Sequence, residues 1–199
     1  VTAMVLGEFH YGAGRGASDM IGMALGTGVG GGLVLNGQLY RGAGSTAGEI
    51  GHITVVPDGP MCGCGNFGCL EALVGKAGLI ERALEAITAQ GRSTSLETRL
   101  DELKTLDDDA PQWIAEAAAE GDAVAQEVFA DTGRYIGTVL GSLANLINPE
   151  IAVIGGGISR AGDALFPHIA REVRARATKQ PADPTRVAPA DAGNAPGMR

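Results

Sequence analysis

Aromatic residues are scarce, at 4% of the chain, and no apolar run approaches the ~20 residues that a membrane span needs. Basic residues do not cluster: 15 Lys and Arg stand against 23 Asp and Glu, a net charge of −8. Phosphate contacts need clustered cations, so this chain is a poor partner for nucleic acid or an anionic membrane surface. Val1 to Gly16 has neither a basic start nor a long apolar stretch, so no secretory leader is visible. An initiator Met is lacking and both ends are abrupt, so the sequence reads as a fragment of a longer protein. There is no G-x-x-x-x-G-K-[ST], which excludes a P-loop, and no internal repeat. Only three cysteines occur, Cys62, Cys64 and Cys69, within eight residues. An odd, crowded set is a poor disulfide framework and suits a metal site in a reducing compartment.

Glycine is what abounds: 32 of 199 residues, against a usual ~7%. With 45% hydrophobic residues, the length fits one domain, or one and a fraction, with a real core. Val1–Glu8 reads as the tail of a helix and Tyr11–Ser18 as a loop. Asp19–Leu25 reads as a buried strand, Gly26–Gly32 as a Gly-rich turn. Leu33–Leu35 and Gln38–Tyr40 flank Asn36-Gly37, the strongest short hairpin signal. Ile53–Val56 predicts a strand and Pro57–Cys69 a loop. The apolar period then lengthens, predicting an amphipathic helix from Glu71 to Gly91. Ser93–Asp109 reads as a polar surface excursion, Pro111–Ala119 as a short helix and Asp122–Ile147 as a long one. Gly133, Gly137 and Gly141 fall on one face of that long helix, which suggests a smooth packing stripe rather than mere flexibility. Ile151–Ile154 predicts a buried strand, followed by a helix from about Gly162 to Thr178. Gln180–Arg199 reads as a loop or a cut edge. This succession indicates an α/β domain.

Four constellations carry chemistry. Gly26-Thr27-Gly28-Val29-Gly30-Gly31 matches G-x-G-x-x-G, but a hairpin follows it instead of the helix that a dinucleotide fingerprint requires. A turn of that kind either wraps a phosphate with its N–H groups and the Thr27 hydroxyl, or is a tight turn without a ligand. Gly155-Gly156-Gly157, between a strand and a helix, either admits a ligand to the strand's carboxyl end or is a flexible connection. His52, Cys62, Cys64 and Cys69 form H-x9-C-x-C-x4-C, one imidazole and three thiols in a Gly-rich loop with little apolar cover. That reads as a closed tetrahedral Zn2+ set, structural because no ligand position stays open, the alternative being a core histidine and free buried thiols. Glu49 and Glu71 flank the set, so folding the loop on zinc gathers Glu49, His52 and Glu71 as acceptors for a polyhydroxylated ligand. On spacing alone they could equally be solvated glutamates.

Gly48-Glu49-Ile50-Gly51-His52 and Cys62-Gly63-Cys64-Gly65-Asn66-Phe67-Gly68-Cys69-Leu70-Glu71 together resemble the signature of the ROK family of sugar kinases and sugar-responsive repressors. The Gly26–Gly32 loop, Asn148-Pro149 and Gly155–Gly157 fall in family order. The resemblance implies an actin-like ATPase (ribonuclease H-like) fold, with 1–199 representing mainly the larger C-terminal domain. The zinc loop would span 52–69, and the N-terminal domain would be absent. It implies that Glu49, His52 and Glu71 bind sugar hydroxyls and that His52 also ligates zinc. Gly26, Thr27 and Gly28 would face the ATP phosphates, and Gly155, Gly156 and Gly157 would lie by the adenosine. The family's catalytic base belongs to an Asn-Asp pair just before a helix like Val1–Glu8. No Asp within this chain takes that role, Asp19 included, and a closing C-terminal helix is also expected beyond Arg199. The implied activity is a cytoplasmic hexose kinase using ATP and Mg2+ on the 6-hydroxyl of glucose or a related sugar, as a homodimer or homotetramer. The alternatives are a sugar-responsive repressor whose DNA-binding region lies elsewhere, and a zinc-stabilised binding module. The fragment alone is expected to be inactive, with its long helix exposing apolar surface.

Overall fold

A five-stranded mixed sheet forms the centre of the protein, seen here in a computed structural model that describes residues 1–178 and 185–191. Its strands are β1 (Met20–Leu25), β2 (Val29–Leu35), β3 (Gln38–Tyr40), β4 (Ile151–Gly155) and β5 (Arg186–Pro189), in the order β3-β2-β1-β4-β5. The β1–β2 and β2–β3 pairs are antiparallel, and β1–β4 and β4–β5 are parallel. Side chains alternate across a sheet. Ile21, Met23, Leu25, Ala152 and Ile154 therefore enter one core, and Met20, Val34, Ile151 and Val153 the other.

Helix α1 (Thr2–Tyr11) covers the second face, where Val5 lies over Gly22 and Gly32. The first face carries α2 (Leu70–Val74), α3 (Lys76–Thr88), α4 (Leu100–Lys104), α5 (Ala110–Ala119), α6 (Ala123–Ile147) and α7 (Phe166–Arg176). This is the α/β architecture expected from the alternation of elements. Among the described residues, no helix is long and apolar enough to cross a membrane.

Several local expectations are corrected. The Gly turn is shorter than Gly26–Gly32, because Gly30, Gly31 and Gly32 are strand residues of β2. They stay bare because a Cβ on Gly31 would lie 2.5 Å from Gly48 O, and one on Gly30 would lie 2.2 Å from Val1. Ile53–Val56 does not join the sheet. Val55 and Val56 donate instead to Gly68 O, and Thr54 bridges to Cys69. The Glu71–Gly91 helix is broken at Gly75, which ends α2 and starts α3. Ser93–Asp109 holds a 3-10 turn (Ser95–Arg99) and α4, anchored by the buried Leu96 and Leu103. A 3-10 stretch, Ile158–Ala164, precedes α7. Within 180–199, Arg186–Pro189 is a strand, its Pro tolerated at the sheet edge, while the rest apart from 185 and 190–191 lies outside the described residues. The long helix α6 is packed by α2, α3, α5 and α7, leaving Leu146 as its exposed large apolar residue.

Two features hold α6. Asp122 caps its start, accepting from Val124 N and Ala125 N at 3.0 Å each, and its other oxygen takes Thr94 Oγ1, Ser95 N and Ser95 Oγ. Further along, the glycine stripe lets α7 come close. A Cβ on Gly137 would sit 2.5 Å from Glu172 Cβ and 2.9 Å from Ile169 O. Neither contact is a yielding chain end.

Gly137→Ala is therefore expected to lower stability in denaturant titration, by up to about 2 kcal/mol. Overpacking costs about 1–3 kcal/mol, which outweighs the ~1 kcal/mol that Ala gains in helix propensity. A more stable variant would mean that the helices separate freely. For Asp122, burial raises the carboxyl pKa, but the Ala125, Thr94 and Ser95 donors outweigh it and hold the group at about 2. A depressed pKa stabilises the fold above the unfolded value of ~3.9, and that contribution is lost as pH falls through the folded value of about 2. Asp122→Ala should cost about 0.5–2 kcal/mol at pH 7. Its deficit against the parent should shrink between about pH 4 and pH 2, and a pH-independent deficit would contradict the charged cap.

Candidate functional site

The loop after β3 folds back on the sheet by backbone contact. Gly51 is pressed so close to β2 that a Cβ would lie 2.0 Å from Val29 O. This sets the 3-10 turn Ile50–His52, and with it Glu49 and His52, at the end of β2. The cysteine loop then closes on itself: Cys62 N donates to Asn66 O at 2.7 Å and Gly65 N to Cys62 O at 2.9 Å. Gly65 and Gly68 take positive φ, +92° and +65°, and a Cβ on Gly68 would collide with Val56 O. These glycines, which the sequence offers as CGCGNFGC, make the tight turn possible.

The result gathers His52, Cys62, Cys64 and Cys69, whose ligand atoms all lie within 4.8 Å of one another. Cys62 Sγ is 3.7 Å from His52 Nδ1, and Cys64 Sγ is 3.7 Å from Cys69 Sγ. A tetrahedron with metal–sulfur bonds of ~2.3 Å has edges of about 3.8 Å, so the donor set has the size for zinc. Burial pushes the Cys69 thiol up to about 12, aided by the neighbouring Cys64 and Cys62. The Asn66 backbone lowers the exposed Cys64 thiol.

Helix α2 starts directly after Cys69 and carries Glu71 back toward the sheet. Glu71 Oε2 accepts from Val29 N at 2.9 Å, and Oε1 lies 3.7 Å from Cys62 Sγ. Glu49, His52 and Glu71 line one open concavity of about 480 Å³ with Gly26, Gly28, Gly30, Gly156 and Gly157. Val1 lies on its rim. The three residues read from spacing as a ligand set are thus brought together.

A second cavity, about 730 Å³, adjoins the first, sharing Gly26 and Gly157. Thr27, Lys76, Asp108, Asp109, Gln112, Glu116 and Arg160 supply its polar lining, and Pro111, Ala115, Ala119, Ile158 and Ala161 its apolar lining. Thr27 therefore faces this cavity, and Gly28 the other. Gly155 faces neither. It is buried in β4, paired with Ala24 and packed on Ala190. Gly156 takes φ +95° against Leu25 O, a position closed to any side chain.

Lys76, Asp108, Gln112 and Arg160 were not singled out by the sequence. Lys76 is hidden inside an unbroken helical period, and Asp108 inside an acidic run that reads as plain surface. The available signal was Gly75-Lys76, a helix start that could be placed against the turn only once the Glu71–Gly91 period was known to break.

The sequence matches the ROK family over residues 1–199. It is 41% identical over 194 residues to a glucokinase of Halalkalibacterium halodurans, covering 97% of this chain and 58% of that protein. It is 35% identical over 179 residues to the DNA-binding transcriptional dual regulator NagC of Escherichia coli, covering 90% of this chain and 42% of that protein. The structure matches a ROK family glucokinase from Streptomyces griseus in complex with glucose and AMPPNP, with a TM-score of 0.83 and 34% identity, over 96% of this chain and 62% of that one. The chain spans less than two thirds of each. The match to that glucokinase identifies the mixed sheet with helices on both faces as an actin-like ATPase fold. By a match along its whole length, the chain belongs to the ROK family.

Proposed function

We propose that the whole protein is an ATP-dependent hexose kinase that phosphorylates the 6-hydroxyl of glucose or a related sugar. The observation that carries this reading is the pair of joined cavities. One is lined by Glu49, His52 and Glu71, and the other by a Gly turn, two cations with three carboxylates, and apolar side chains. Carboxylate oxygens accept from sugar hydroxyls, and the Gly26–Gly28 N–H groups and Thr27 hydroxyl suit phosphate oxygens. Phosphoryl transfer needs mostly positioning and charge stabilisation, so a sugar and a phosphate seat meeting at Gly26 and Gly157 is the arrangement the reaction calls for. Mg2+ bound to ATP would neutralise developing charge on the phosphates. The family resemblance puts the general base just ahead of Val1. Since Val1 lines the sugar cavity, residues preceding it would enter beside Glu49 and Glu71.

His52, Cys62, Cys64 and Cys69 hold a structural zinc in this proposal. Four protein ligands leave no position for a reacting water. The metal's work is to fix the loop from which Glu71 departs, and its thiolates fit a reducing compartment, the cytoplasm. Cys64 is exposed, so its replacement leaves the core untouched. Cys64→Ser is expected to reduce bound zinc well below about one per chain in elemental analysis and to lower the thermal midpoint. Unchanged metal and midpoint would refute the ligand set.

The likeness to NagC supports a second reading, a sugar-responsive repressor built on the same domain. The phosphate-suited cavity beside Lys76 favours the kinase. A coupled assay for hexose 6-phosphate decides between them, run on the whole protein, on residues 1–199 alone, and on Glu71→Gln. The whole protein should turn over. The isolated chain should lose at least the roughly 10²–10⁴ that a general base supplies, and comparable turnover would place the base inside it. Glu71→Gln keeps an acceptor for Val29 N–H but loses the charge, so it should raise KM for glucose with zinc retained. Sugar-controlled DNA binding without turnover would establish the repressor instead.

A further inference from the structure

The kinase reading assigns the Gly turn to phosphate but leaves the nearest cation without a role. Lys76 is the first residue of α3, and its N–H donates to Gly26 O at 3.0 Å, which fixes its backbone on the turn. Its Nζ lies 2.5 Å from Asp108 Oδ1, inside the cavity that Thr27 also lines. The two partners differ sharply. The Lys76 side chain is 16% exposed, while that of Asp108 is 92% exposed. The cation is held in place, and the acid is free to swing into solvent.

Helix α5 extends the argument. Asp108 lies just before it, and Pro111, Ala115 and Ala119 follow at four-residue spacing, all lining the cavity. Four-residue spacing keeps side chains on one helix face, and eight residues rise about 12 Å. An apolar stripe therefore leads away from the Lys76–Asp108 pair, flanked by Gln112 and Glu116 on the same wall. That sequence of surfaces, charge at the turn and then apolar wall, fits a nucleoside di- or triphosphate with its phosphates at Lys76.

We propose that Lys76 takes the terminal phosphates of the nucleotide over the Gly turn, and that Asp108 is the counter-charge the phosphates displace. The inference rests on the kinase reading of this cavity. Asp108 lowers the affinity of the empty site by competing for the ammonium, and Lys76 supplies charge-assisted hydrogen bonds once Asp108 has left. No bond is made or broken in this exchange. An exposed carboxylate gives way to a phosphate, and the lysine proton stays where it is.

The two side chains must then act in opposite directions. The test is calorimetric titration of the whole protein with ADP, without divalent cation, and with adenosine as the phosphate-free control. Lys76→Met is expected to weaken ADP at least tenfold and to leave adenosine unchanged. Asp108→Asn is expected to tighten ADP by about two- to fivefold, the range an exposed ion pair supports. Unchanged ADP affinity in Lys76→Met overturns the proposal, as does an equal loss for adenosine, which would mark a structural lysine. Weaker ADP binding by Asp108→Asn overturns it as well, and that exposed substitution remains informative even if Lys76→Met folds poorly. A parent that binds glucose but neither ADP nor adenosine overturns the nucleotide reading itself. A parent that binds both while the variants match it overturns only this inference.

Discussion

Glu71 Oε2 accepts from the Val29 N–H while Oε1 stands by the Cys62 thiol. One carboxylate thus joins the cysteine loop to the hairpin turn between β1 and β2. The contact is close enough that a Cβ on Gly28 would lie 2.4 Å from Oε2. The turn must be glycine for the carboxylate to dock, and the carboxylate must dock for the two cavities to share a wall. The chain then passes through Gly75, whose bare Cα lies under Thr27 O, and α3 begins against Gly26. Within six residues, Glu71 to Lys76, the sequence reaches both sides of the turn.

The scarcity of aromatics and the abundance of glycine are two sides of the same packing. Where large side chains would hold elements apart, backbone here lies directly on backbone. Gly51 lies on Val29 O, Gly31 under Gly48 O, and Gly133, Gly137 and Gly141 on α7. Close packing of this kind leaves little room for adjustment. It places the turn that carries Glu49 and His52 against β2 through Gly51. The large fully buried residue Phe129 lies instead in the helical layer, well away from the cavities by sequence and lining neither.

Much of the candidate site was legible in the sequence because its residues are local. Glu49, His52, the three cysteines and Glu71 fall within 23 positions, so any fold of that loop brings them near one another. The α/β class and the glycine stripe were legible from periodicity. What stayed hidden depends on contacts between distant segments. The break at Gly75 is caused by Thr27 and Gly28, about fifty positions upstream. The failed strand at Ile53–Val56 is caused by Gly68, whose carbonyl takes the N–H groups that a sheet neighbour would have taken. β5 pairs a Pro-bearing stretch that reads as loop because its only strand signal is its partner β4. Asp108 and Arg160 acquire meaning from the cavity wall they share.

A buried guanidinium carries the same logic into the core. Arg82, on α3, donates to Leu73 O at the end of α2 and to Thr132 Oγ1 on α6, with the Tyr135 ring 5.8 Å away. Burial lowers its pKa, and Asp131 opposes that shift. Arginine does not give up its proton in proteins, so the cost of placing it there is offset in part by these two bonds, which tie the end of α2 to the middle of α6, while its Nε stays without a partner. The two cavities also differ in charge. Glu49 and Glu71 line the first cavity with no Lys or Arg side chain beside them, whereas Lys76 and Arg160 line the second together with Asp108, Asp109 and Glu116. Both cavities therefore carry acid, and what sets the second apart is the pair of cations that its carboxylates hold in balance.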